Sequence, residues 1–197
     1  MAGILRDLGA HVIDADEIAR GVLAPGGAAY ADIVRAFGRD IIRPDGTVDR
    51  KALATRIFAD ASAREQLNAL THPHIRRLMA EETRHLSAAP GTEVIVLDIP
   101  LLFETRDASD LDGVIVVYAD EPTRLRRLIA RDGLNEEEAR RRVRAQMPLA
   151  EKVARADWVI DNTGAPEATR RQVGRVWEAL RTRERRAGQT SRAGRRR

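Results

Sequence analysis

Carboxylates recur at one kind of position along this chain. Asp14-Ala15-Asp16, Asp98, Asp120-Glu121 and Asp161-Asn162 each close a short apolar run, and strand ends of this kind are where open parallel sheets bind ligands. Asp14 and Asp16, two residues apart, are expected to share one strand face and point at a single site. A basic set faces them in type. Arg124, Arg127 and Arg131 fall at i, i+3 and i+7 of one helical pattern, Arg142 and Gln146 are expected on one face of the next, and Lys152 follows Pro148. Arginines on a helix–turn–helix beside acidic strand ends have the chemistry of a phosphotransfer lid. Their guanidinium groups bind phosphate oxygens bidentately and neutralise charge on a transferred phosphoryl group. The competing reading is a solvated arginine-rich surface paired with Glu136, Glu137 and Glu138. The histidines carry less: His72-Pro73-His74 has no third partner, so no metal is expected there. The sequence contains no Gly-x-x-x-x-Gly-Lys-Ser/Thr phosphate loop, no Gly-x-Gly-x-x-Gly, no His-Glu-x-x-His and no Gly-x-Ser-x-Gly.

The elements that must position these groups alternate between strand and helix. Strands are predicted at His11–Asp16, Glu93–Ile99, Gly113–Ala119 and Trp158–Asp161. Val94 to Leu97 and Val114 to Val117 are continuous apolar runs, which argues for strands covered on both faces, as in a parallel sheet flanked by helices. Leu125, Leu128 and Ile129, and later Val173, Val176, Trp177 and Leu180, have helical spacing. Asn135 with Glu138 reads as a helix start, Met147-Pro148 as a stop, and Pro166 as the opening of the last helix. Residues 17–92 are mainly helical, punctuated by turns at Pro25-Gly26-Gly27 and Pro44-Asp45-Gly46, with a further helical break expected at His72-Pro73. The alternation predicts an α/β fold with a parallel sheet.

Composition bounds the rest. The chain has 197 residues, 43% hydrophobic and 32% charged, enough for one medium domain with an insert. No run reaches the length of a membrane span, and Met1 to Ala10 has no secretory pattern. The absence of cysteine excludes disulfides and thiolate sites and is compatible with a cytoplasmic location. Net charge is +4, but residues 181–197 hold eight arginines against one glutamate, so the first 180 carry −3. That tail, with Gly188, Ser191 and Gly194, is expected to be disordered and solvated, a nucleic-acid contact through phosphate charge being the lesser alternative.

The ordered string of motifs resembles the dephospho-CoA kinase family. It runs from Leu8-Gly9-Ala10-His11-Val12-Ile13-Asp14-Ala15-Asp16-Glu17-Ile18-Ala19-Arg20 through Pro25-Gly26, Asp45-Gly46-Thr47-Val48-Asp49-Arg50 and His72-Pro73. It continues with Asp98-Ile99-Pro100-Leu101-Leu102-Phe103-Glu104, Arg131-Asp132-Gly133-Leu134, Gln146-Met147-Pro148-Leu149 with Lys152, and Val159-Ile160-Asp161-Asn162. The resemblance implies a phosphate-loop kinase-like α/β fold with a helical acceptor-binding insert at about 20–90 and a lid at about 123–155 within one domain, residues 1–180. It implies transfer of the ATP γ-phosphoryl group to the ribose 3′-hydroxyl of dephospho-CoA with Mg²⁺, the last step of coenzyme A synthesis. Asp16 matches the general base. Asp14, Arg20, His72 and Pro100-Leu101-Leu102 match the acceptor region, and Asp98 a strand-end acid near Mg²⁺ and its waters. Arg142 and Lys152 match lid positions, joining Arg127 and Arg131 of the basic stripe over the phosphates, and Asn162 matches the loop beside the adenine.

One departure is large. Family members begin with a strand and the phosphate loop, whereas Met1 to Leu8 reads as part of the helix that follows them. Roughly 15–20 residues are expected to be missing, leaving a gap in the sheet and little kinase activity. A misassigned or truncated start is favoured over a natural short form. The alternative function is a non-catalytic protein whose arginine tail engages RNA or acidic partners, a contact that deletion of residues 181–197 would abolish.

Overall fold

The computed structural model describes residues 1–105 and 108–194, with side chains described through Arg183 outside the 106–107 gap. In chain order the elements are α1 (Ala2–Asp7), β1 (His11–Asp14), α2 (Ala15–Val22), α3 (Tyr30–Phe37), α4 (Arg50–Ala59), α5 (Ala61–Ala88) and β2 (Ile95–Asp98). There follow α6 (Leu102–Thr105), β3 (Ile115–Tyr118), α7 (Glu121–Asp132), α8 (Glu136–Arg144), α9 (Leu149–Ala154), β4 (Trp158–Asp161) and α10 (Pro166–Gly194). The α/β class with parallel strands and flanking helices holds. Among the described residues the strands pair as two two-stranded sheets, β1 with β2 and β3 with β4. No helix among the described residues is long and apolar enough to cross a membrane.

The chain divides into two compact units. The first, Val12–Ile99, contains the helical insert and has its own apolar core: Val22, Ala29, Ile33, Phe37, Ile41, Val48 and Leu53 are all buried. Burying so many branched and aromatic side chains supplies most of the drive for folding here. The Pro25-Gly26-Gly27 turn is tight: a Cβ at Gly27 would press on the Gly21 carbonyl oxygen, so only glycine fits. The break expected at His72-Pro73 does not occur, and α5 runs unbroken through Pro73. Proline removes one N–H from the ladder and strains one turn. Packing of α5 on α2, α3 and α4, with Thr71 and Met79 buried, offsets that loss, and Thr71 Oγ1 donates to the Leu67 carbonyl at 2.8 Å.

The second unit comprises Met1–His11 and Pro100–Arg197. Parallel β3 and β4 pair Ile115 with Trp158 and Tyr118 with Asp161. Ile160 is fully buried, as are Val173 and, nearly, Val176 and Trp177 of α10, the helix that packs on β4. Coverage of the sheet is incomplete, since Val117 and Val159 stay 40% and 43% exposed. Asp120 caps α7 by accepting from the Thr123 N–H at 2.8 Å, and Gly133 ends that helix in the left-handed region at φ 65°. Asn135 caps α8 through the Glu138 N–H at 2.9 Å, as its spacing predicts. Residues 181–194, expected to be disordered, continue α10 as helical backbone. Arginine, alanine and glutamine are good helix formers, and they extend a helix already nucleated on β4. Arg195, Arg196 and Arg197 lie outside the described residues.

Candidate active site

In the unit Val12–Ile99 the two expected acids do not share a strand face. β1 ends at Asp14, whose Oδ1 accepts from the Asp16 N–H at 2.8 Å and the Glu17 N–H at 3.1 Å. Asp14 is therefore the N-cap of α2, and Asp16 stands on that helix's first turn. The local reason is chemical: an Asp with extended backbone satisfies the helix's open N–H groups, which turns the chain out of the strand at once. Asp16 is exposed, and its carboxylate makes no hydrogen bond or ion pair among the described residues. Arg20, also exposed, lies at i+4 from Asp16 and so falls on the same helix face. His72 is half-buried on α5, which packs against α2. Burial, with the nearby Arg76 charge, holds its imidazole below the usual histidine range. Asp98 is exposed at the end of β2, the strand paired with β1.

The other expected residues belong to the unit containing Pro100–Arg197. Pro100 and Leu101 are exposed and Leu102 half-buried, leading into the single turn of α6. Thr105 Oγ1 donates to the Leu101 carbonyl at 2.7 Å and ties that turn to the loop. The four expected phosphate-side cations all have acceptors. Arg127 donates to the Asn162 carbonyl at 2.7 Å. Arg131 reaches Asp132 at 2.7 Å and Arg142 reaches the same carboxylate at 3.0 Å, so two cations from α7 and α8 converge on one acid. Hydrogen bonds from Arg131, opposed by slight burial and aided by both guanidinium charges, hold Asp132 below the ordinary carboxylate range. Lys152 lies 2.6 Å from Glu104, whose Oε1 also accepts from the Met147 N–H at 3.1 Å. Burial pushes the Glu104 carboxyl up, but the Lys152 and Met147 hydrogen bonds and the Lys152 charge outweigh it and leave it lowered.

The Asn162 loop is fixed from several sides. Its N–H donates to the Tyr118 carbonyl at 2.7 Å, and its Oδ1 accepts from Thr169 Oγ1 at 3.1 Å. Asp161 accepts from the Thr163 N–H at 2.8 Å, and the Thr163 hydrogen bonds lower its carboxyl against the opposing charge of Asp120. Gln146, expected on a face with Arg142, lies beyond the end of α8, because the helix stops before the Met147-Pro148 step. The acidic partners anticipated at Glu136 to Glu138 are realised for Arg140, which binds Glu136 at 2.7 Å, while Arg131 and Arg142 bind Asp132. Asp132 and Glu104 were legible only as parts of the Arg131-Asp132-Gly133 and Asp98-to-Glu104 strings. A cleft of about 520 Å³ bounded by Phe103, Gly113, Arg155 and Asp157 lies at the amino ends of β3 and β4, and none of the expected site residues lines it.

Comparison with known proteins identifies the family. A family model described as dephospho-CoA kinase matches residues 1–167. The dephospho-CoA kinase of Geobacillus kaustophilus is 49% identical over 183 residues, 91% of this chain and 90% of that protein. That of Anaeromyxobacter dehalogenans is 48% identical over 180 residues, 91% of this chain and 85% of that protein. Among solved structures, TT1252 from Thermus thermophilus superposes with a TM-score of 0.76 at 37% identity, covering 90% of this chain and 88% of the other. Dephospho-CoA kinase from Campylobacter jejuni gives a TM-score of 0.67 at 29% identity, covering 91% and 89%. With a family model matched over residues 1–167 and relatives nearly half identical along nine-tenths of its length, the chain belongs to the dephospho-CoA kinase family of phosphotransferases.

Proposed function

We propose that the reaction this chain is built for is ATP-dependent phosphorylation of the ribose 3′-hydroxyl of dephospho-CoA, in the cytoplasm, with Asp16 as general base. The observation that carries this reading is the Asp14 cap, which sets Asp16 on the first turn of α2 with its carboxylate exposed. Asp16 takes the hydroxyl proton, the hydroxyl oxygen bonds to the γ-phosphorus, and the bond to the β–γ bridging oxygen breaks as ADP leaves. Arg20, His72 and Pro100-Leu101-Leu102 hold the acceptor, and Arg127, Arg131, Arg142 and Lys152 offer N–H donors to the nucleotide phosphates. Among the described residues no three His, Asp or Glu side chains group as a metal site. A Mg²⁺ ion would arrive with ATP, and Asp98 is the acid of this chain that would hold its waters. Bound there, the ion would neutralise charge on the transferred group.

The 197 residues contain no phosphate loop, so nothing in them supplies the backbone amides, lysine and hydroxyl that cradle the β- and γ-phosphates. The chain by itself is therefore expected to bind dephospho-CoA while turning it over little or not at all. Titration calorimetry with dephospho-CoA, paired with a coupled ADP-release assay, tests both halves. Binding that weakens in Arg20→Ala and His72→Ala supports the acceptor reading, and no binding by the unsubstituted chain overturns it. Turnover at the rate of an intact relative would overturn the expectation of low activity.

A further inference from the structure

Lys152 and the Met147 N–H meet on one oxygen of Glu104, a residue with no role in the reading above. The Lys152 and Glu104 side chains are only 12% and 21% exposed, unlike the other ion pairs of the phosphate-side unit. A second tie lies beside the first: the guanidinium of Arg155 stacks over the Phe103 ring, 5.8 Å from its centroid. Consecutive residues of α6 thus hold both ends of α9. Its start is held through Met147, one residue before Pro148, which has no side-chain cap to offer. Its end is held through Lys152 and Arg155.

We propose that Glu104 is a positioning residue, which orients the Lys152 ammonium and fixes the start of α9, the helix from which it projects. The proposal rests on the phosphate role given to Lys152 above. An ammonium has three N–H donors. One spent on Glu104 leaves two for phosphate oxygens and removes most of the rotamer freedom that a four-carbon stem would otherwise lose on binding. Glu104 closes the same motif that opens with Pro100-Leu101-Leu102, and the Thr105–Leu101 hydrogen bond makes the two ends one turn. The motif therefore joins the acceptor-side loop to the lysine of the phosphate side.

The sequence supplies its own probe, because Lys51 and Lys152 are the only lysines. Lys51 is exposed on the first turn of α4 and serves as the internal reference. The full chain is acetylated with a water-soluble amine reagent at pH 8, and each site is followed by mass spectrometry. Lys152 should react about tenfold more slowly than Lys51, since a charge-assisted hydrogen bond must open first. Glu104→Gln, which keeps the shape and an acceptor for Met147, should bring Lys152 close to the Lys51 rate and leave Lys51 unchanged. Equal rates for the two lysines in the unsubstituted chain overturn the proposal without any variant. So does a folded Glu104→Gln chain in which Lys152 is still protected. Inorganic tripolyphosphate at millimolar concentration separates the underlying reading: further slowing at Lys152 alone supports a phosphate contact. Release by Glu104→Gln with no tripolyphosphate effect refutes that contact while the Glu104–Lys152 tie stands.

Discussion

In the unit Val12–Ile99 the proposed base, Asp16, has no side-chain partner among the described residues, and in the unit containing Pro100–Arg197 all four cations proposed for the phosphates have an acceptor. On the proposed function, the contrast follows from what each group would do. A general base has to present an open lone pair to an incoming hydroxyl, so its own carboxylate cannot be engaged. The backbone places it instead, through the bonds that Asp14 makes to the Asp16 and Glu17 N–H groups. Arg131 and Arg142, which converge on one acid, repel one another, and long cationic stems lose much entropy when a phosphate orders them. Asp132 and Glu104 compensate that charge in advance, and the Asn162 carbonyl holds Arg127. Exposed pairs such as those on Asp132 add little stability. Their value is orientation.

The hardest test of this contrast is to take away the base. In a form carrying a strand and phosphate loop ahead of Met1, Asp16→Asn should lower kcat by about 10²–10⁴ with the fold unchanged, as expected for loss of a general base. Steady-state kinetics beside circular dichroism decides it, and retained turnover would show that Asp16 is not the base. Arg142→Ala, by contrast, should mainly raise the KM for ATP, since Arg131 stays on Asp132 and keeps part of the charge.

Next in size are the cores. Phe37→Ala removes a buried ring of the insert and Trp177→Ala one beneath Gly9 and β4, each costing about 3–5 kcal/mol by cavity formation. Urea unfolding measures both. Smaller again is the cap. Asp14→Ala should cost about 1 kcal/mol of stability, yet reduce turnover beyond that figure, because the turn that carries Asp16 loses its fixed start. A loss of stability with kcat intact would mean that the cap does not place the base.

Much of this was legible in the residues themselves. Asn135 and Pro166 marked helix starts correctly because capping is local chemistry, decided within four residues, whereas Asp120, read as a strand-end acid, proved to be the cap of α7. The apolar runs located all four strands, with ends two residues too long where Asp14 turned from strand to cap. The errors share a cause. At Pro73 a local breaker was overruled by packing of α5 on three other helices, which no window of sequence displays. Asp132 and Glu104 escaped notice as site residues because their partners lie 10 and 48 positions further along the chain.

The smallest effect concerns His72, the one acceptor-side residue whose surroundings alter its proton affinity. Burial is the larger cause and the Arg76 charge the lesser, and both disfavour the imidazolium, so the folded pKa lies below the ordinary 6.5. Below pH 6.5 the unfolded chain therefore takes up a proton at this residue before the folded chain does, and stability falls as pH drops toward the folded pKa. Once the folded form is also protonated, this contribution levels off. His72→Gln, which keeps a polar side chain of similar reach without a titrating group, should flatten that part of the stability curve and leave its neutral-pH value nearly unchanged. Urea midpoints taken from pH 7.5 down to pH 5 read the difference directly. An unchanged slope would mean that His72 is as well solvated as an exposed histidine. The distinction drawn above would then narrow, because the acceptor side would hold no group tuned by burial, only a base set in place by a cap.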